Sequence, residues 1–218
     1  MIQEVLYELN VEEFEKFNDV EGNVVHASVL PLCPLKWFYR LKYPDLVKAQ
    51  QYSGYLILGK LVHIGLQRLL RELYDSGRLS GFKVLGVEVD LEKSINIENG
   101  DFPVIVKIKG RADLIVEKDG SKYVVEIKTS KSDFNIPAEH HVLQLKIYMN
   151  LASVEKGLLL YITPDRITEY YVNEAISDFE LQNLVQEFFK KKGPRYGWEC
   201  NYCPFNILCP NKKANSKR

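Results

Sequence analysis

The chain has 218 residues, 46% of them hydrophobic, and its 29 Lys and Arg balance its 29 Asp and Glu. This suits one sizeable globular domain with room for a core, and it excludes a global positive field, so a nucleic-acid partner must be held by local basic patches. No apolar run approaches the roughly 20 residues that span a bilayer, and the N-terminal MIQEVLYELNVEEFEKF is acidic, without the regions of a signal peptide, so a cytoplasmic protein with no membrane partner is expected.

In chain order, ASVLPLCPLKWFYRLKYP reads as a short helical segment broken by prolines. Its Lys36, Arg40 and Lys42 interleave with Trp37, Phe38, Tyr39 and Tyr43, as on an aromatic surface helix or a DNA-facing one. From Tyr55 to Tyr74 the apolar positions 58, 61, 62, 66, 69, 70 and 73 keep a helical period. FKVLGVEVDLEKSI, FPVIVKIKG, RADLIVEK and KYVVEIKTS then read as four consecutive strands. AEHHVLQLKIYMNLASV returns to a helix, in which the adjacent His140 and His141 are expected to point apart on the surface. GLLLYIT and RITEYYV pair as strands, and EAISDFELQNLVQEFFKKK is a final amphipathic helix stopped by Gly193 and Pro194. The basic tail NKKANSKR is expected to fray. The order predicts a mixed α/β fold, a central sheet flanked by helices.

VVEIKTS poses the central question, because a strand that reads as buried carries Glu126 and Lys128 on one face. Asp119-Gly120 is a favoured pair for a two-residue hairpin loop, and with that loop Lys118 faces Ser121, Glu117 faces Lys122, and Asp113 faces Glu126. Ala112, Leu114 and Val116 then share a core-facing side with Tyr123, Val125 and Ile127. Two opposed carboxylates are destabilising unless a cation or a proton compensates. Mg2+ or Mn2+ suits such a pair, and Lys128, one step along the same face, is placed to orient a water or meet charge developing on a phosphate. Glu88 on the neighbouring strand is a further candidate carboxylate.

GRADLIVEKDGSKYVVEIKTS resembles the Asp, then Glu-x-Lys signature of the PD-(D/E)XK nuclease superfamily, and its RecB-like branch in particular. The resemblance implies a restriction-endonuclease-like core and a metal-dependent deoxyribonuclease. It makes Asp113, Glu126 and Lys128 catalytic, and gives the metal His63 (from GKLVHIGL), Asp113, Glu126 and the Ile127 backbone carbonyl. QLKIYMN matches the branch's Gln-x-x-x-Tyr motif, with Gln144 and Tyr148 supporting the site or contacting DNA.

Cys33 stands alone, whereas Cys200, Cys203 and Cys209 crowd into CNYCPFNILCP. In a reducing cell this spacing favours metal chemistry over disulfides. One plus three cysteines resembles the iron–sulfur site of RecB-like nucleases, 4Fe–4S in kind, with zinc as the alternative. Such a site would fasten an N-terminal helical segment (1–54) and a C-terminal segment (193–218) to a nuclease core (55–192). With VHASVLPLCPLKWFYR and the single-domain length, the cysteines resemble the CRISPR-associated Cas-four family. That implies a 5' to 3' exonuclease on single-stranded DNA, acting in spacer acquisition beside the CRISPR integrase. The arginine-rich stretch usual after the first cysteine is reduced here to Lys36 and Arg40. The rival readings are a RecB-like repair or viral nuclease and a non-catalytic, cluster-bearing DNA-binding module.

Overall fold

The computed structural model describes residues 1–16, 23–99 and 102–213; most of the basic tail lies outside them. In chain order the elements are α1 (Ile2–Lys16), β1 (Val24–His26), α2 (Pro34–Lys42), α3 (Pro44–Lys48), α4 (Gly54–Asp75), β2 (Phe82–Asn99), β3 (Phe102–Lys118), β4 (Ser121–Thr129), α5 (Glu139–Ala152), β5 (Lys156–Ile162), β6 (Ile167–Val172) and α6 (Asp178–Phe189), with short 3-10 turns at Ala49–Gln51 and Glu199–Tyr202. α6 begins at a capping box: Ser177 takes the Glu180 N–H while the Glu180 carboxylate takes that of Ser177. Among the described residues no helix is long and apolar enough to cross a membrane.

The six strands of the described residues form one mixed sheet, organised around β3. β2 runs antiparallel along its length, whereas its other edge is shared. Lys107–Lys109 pair in parallel with β1, and residues 114–118 pair antiparallel with β4. Between those partners β3 is forked, and Asp113 sits in the fork. β4 continues through α5 into parallel β5, and β6 closes the far edge antiparallel; a parallel pair needs a long crossover of this kind.

The sheet separates two cores. On one face α5 and α6 pack Leu145, Met149, Leu181 and Phe188 against Val124, Ile108 and Leu159. On the other, Leu66 and Leu70 of α4 cover Val84, Leu114, Val116, Val125 and Ile127. β4 is thus buried on both sides, not half-exposed, which is the environment of a strand in an α/β layer.

Several expectations need correction. FPVIVKIKG and RADLIVEK are one strand, since Gly110 does not break β3; it admits the Tyr148 ring, whose Cε1 a Cβ at that position would meet at 2.6 Å. Residues 24–26, just before the segment read as helical, form a short strand, β1, that was not expected, and Trp37 is buried, 5% exposed, so α2 is not an aromatic surface helix. Ala112 belongs to the first core and Leu114 to the second. The pleat breaks at Asp113, opposite Glu88, whose φ of 52° is left-handed, between the regular pairs Val87/Leu114 and Val89/Ala112. His140 and His141 are half-buried, and their rings lie 4.1 Å apart instead of diverging, because His141 Nδ1 bonds the Tyr161 hydroxyl at 2.6 Å.

Candidate active site

The Asp119-Gly120 turn forms with positive φ at both residues, and the hairpin keeps the expected register from Lys118/Ser121 to Leu114/Val125. Past that pair the strands part. Asp113 and Glu126 therefore do not meet as a regular cross-strand pair; β4 leaves β3 for β5, with Glu126 beside Leu159.

Freed from the ladder, the Asp113 carboxylate, 9% exposed, joins two elements. Its Oδ2 accepts the Ile127 N–H at 2.6 Å, and its Oδ1 lies 3.1 Å from His63 Nδ1 on α4. One turn further along α4, Gln67 donates to Glu88 Oε1 at 2.6 Å and to the Asp113 carbonyl at 3.4 Å. Gln67, only 6% exposed, was not singled out in the sequence, although its place four residues after His63 puts it on the same helical face. Glu88 itself stays exposed on the rim of a cavity of about 570 Å3 that His63, Asp113, Gly59, Tyr55 and Thr129 also line.

Glu126 points to the other side, toward α5. Its Oε1 accepts from Lys128 Nζ at 2.7 Å and from Gln144 Nε2 at 2.8 Å, and Lys128 also donates to Gln144 Oε1 at 3.0 Å. Gln144 Nε2 reaches the Tyr148 hydroxyl at 3.1 Å as well. Tyr148 lies behind the site, buried and with its phenol proton held more tightly than usual, chiefly by that burial. It also borders a second cavity, of about 600 Å3, lined in part by His26, Arg40, Lys109 and Arg111. This is a local gathering of basic side chains of the kind a neutral chain requires, moderated by Asp90, which accepts from Arg111 Nε at 2.8 Å.

The electrostatics mark Glu126 as the frustrated group. Its Oε2 is buried and has no hydrogen-bond partner. Burial first, then the Asp113 charge, raise its pKa from 4.5 to about 7 against the opposing pull of Lys128. For His63, burial works against the charged form, but the hydrogen bond and charge of Asp113 outweigh it and the imidazole pKa rises. As placed, no three described His, Cys, Asp or Glu side chains form a finished metal site. Even so, a buried carboxylate oxygen without a donor, beside a second carboxylate and an imidazole, is chemically suited to a hard divalent cation.

The four cysteines, 33, 200, 203 and 209, are all free thiols and line one small cavity together with Lys36, Pro194 and Glu199. Burial raises the pKa of Cys33 and Cys203, because a low-dielectric surrounding disfavours the thiolate. Four cysteines around one cavity suit a thiophilic centre. Glu199, 8% exposed, carries no motif that would have singled it out: its Oε1 accepts the Cys33 N–H at 2.5 Å and its Oε2 the Tyr196 N–H at 2.8 Å, tying the Cys33 loop to the C-terminal segment.

The PD-(D/E)XK nuclease superfamily profile matches residues 71–210. The CRISPR-associated exonuclease Cas4 of Saccharolobus solfataricus is 38% identical over 214 residues, covering 97% of this chain and 99% of that protein. The crystal structure of SSO0001 superposes with a TM-score of 0.87 at 37% identity, over 98% of each chain. With both its sequence and its fold matched over nearly their whole length, the chain belongs to the Cas4 family of the PD-(D/E)XK nuclease superfamily.

Proposed function

We propose that this nuclease is a metal-dependent exonuclease that hydrolyses single-stranded DNA from the 5' end, in the cytoplasm and in the service of CRISPR spacer acquisition beside the integrase complex. The observation that carries the metal dependence is Glu126 Oε2, buried without a partner beside Asp113. Asp113, Glu126, His63 and the Ile127 carbonyl would hold Mg2+ or Mn2+. Such an ion supplies Lewis-acid polarisation of the phosphate and acidifies a water.

The chain's own groups do the positioning. The Ile127 N–H and His63 fix the Asp113 carboxylate from two elements, and Gln144, held by Tyr148, fixes Lys128 and Glu126 together. An ammonium has three donors, and two of those on Lys128 are engaged by Glu126 and Gln144. The third would orient the attacking water or meet negative charge growing on the phosphate.

The free cysteines around one cavity support a 4Fe–4S cluster on Cys33, Cys200, Cys203 and Cys209, which would join the 1–54 and 193–218 segments to the 55–192 core. Degradation of single-stranded DNA labelled at one end tests the polarity. Early release of a 5' label as short products in Mn2+, with slow loss of a 3' label, is the expected result. Early loss of the 3' label, or internal cuts, would refute the 5' to 3' assignment.

A further inference from the structure

The first turn of α5 carries two histidines after Glu139, and the structure packs the first of them against a ring pair from near the C-terminal end of the chain. Tyr196 and Trp198 stack with centroids 5.7 Å apart and planes 15° apart. The His140 ring lies 5.1 Å from Trp198 and 5.8 Å from Tyr196. Trp198 remains 40% exposed, so the stack reaches the surface.

This cluster adjoins the active residues. Gln144 follows His140 by four positions on α5, which places the two on one helical face. Lys128 is near enough for its charge to add to burial, the larger cause, in lowering the pKa of both His140 and His141. His141 falls to about 3, so its ring beside the cluster is uncharged at neutral pH, while the cation able to meet a phosphate is Lys128. Through Glu199 the aromatic loop is also tied to the Cys33 loop, which holds Tyr196 in a fixed place.

We propose that Trp198, Tyr196 and His140 form a stacking platform for unpaired bases of the strand whose phosphates pass Lys128. The inference rests on the nuclease reading above and supplies a physical reason for a single-stranded substrate. Bases within a duplex are already stacked on their neighbours, whereas an unpaired base of any sequence offers its face to an aromatic ring.

The test uses intrinsic fluorescence. The chain has two tryptophans, and Trp37 is 5% exposed against 40% for Trp198, so quenching by a bound base reports on Trp198. Cluster-loaded protein in Ca2+ is titrated with an oligothymidylate of about 12 nucleotides and with an abasic chain of the same length, which carries the phosphates without the bases. Saturable quenching by oligothymidylate, with at least about tenfold weaker binding of the abasic chain, is expected. Trp198→Ala and Trp198→Phe lack the reporter ring, so their binding is read by the anisotropy of fluorescein-labelled oligomers, with wild type alongside; Trp198→Ala should abolish that preference, and Trp198→Phe should retain most of it at an unchanged melting temperature. Should Trp198→Ala fail to fold, the wild-type comparison and Trp198→Phe decide. Equal affinity for both oligomers, or a preference that survives in folded Trp198→Ala, would overturn the platform. If that protein still cleaves DNA, the nuclease reading stands without it. A wild type that neither binds nor cleaves either oligomer would overturn both.

Discussion

Replacing Glu126 by Gln removes one titrating group from the buried centre and leaves its shape nearly unchanged. In the folded protein Glu126 holds its proton with a pKa of about 7, against 4.5 for an ordinary glutamate. At about 1.4 kcal/mol per unit this difference corresponds to about 3 kcal/mol. The sign follows from proton counting. Between these two pKa values the folded state carries more protons than the unfolded chain, so stability is full below about 4.5 and falls as pH rises through about 7. Glu126→Gln has no such term. Without divalent ions, denaturant unfolding of both proteins from pH 4.5 to 8 should therefore show wild type losing about 3 kcal/mol relative to the variant, roughly 6–12 °C in melting temperature for a chain of this size. Mg2+ should restore wild type mainly at the alkaline end, because below pH 7 protons compete for the same oxygens, and should leave Glu126→Gln nearly unchanged. A wild-type-to-variant difference that stays flat with pH would refute the account of a buried, uncompensated carboxylate.

Lys128→Met removes the ammonium that opposes the raised pKa of Glu126 and the donor that faces the substrate. Cleavage should fall about 100-fold or more, and the residual pH–rate profile should shift to higher pH; an unshifted profile would separate Lys128 from Glu126. Cys203→Ser should lower the melting temperature by roughly 4–8 °C, about 2 kcal/mol, and hasten proteolysis between residues 23 and 52, because the cysteine cavity fastens the Cys33 loop to the C-terminal segment. Unchanged melting and proteolysis would mean that Glu199 and the surrounding packing suffice without a bound centre.

The hairpin was legible because its determinants are local: Asp119-Gly120 sets the turn, and period-two alternation sets the register as far as Leu114/Val125. What lay beyond was decided by neighbours distant in sequence. β1 is three residues long and owes its existence to the free edge of β3. Gly110 looks like a strand break until Tyr148 is found against it. The turning of Asp113 toward His63 depends on the irregular backbone at Glu88, in a strand whose sequence reads as regular. Glu199 and Gln67 carry no motif, and their importance lies only in what they bond across 166 and 46 positions of chain. His63, Gln144 and Tyr148 could be placed from family motifs but not from helical periodicity, which a core residue satisfies equally well.

The most direct measurement is cleavage of single-stranded DNA by anaerobically purified, cluster-loaded protein, with and without Mg2+ or Mn2+, beside Glu126→Ala in the same buffers. The account predicts degradation by wild type only when a divalent ion is present, and none by the folded variant. Cleavage by Glu126→Ala at the wild-type rate, or cleavage indifferent to chelation, would contradict it.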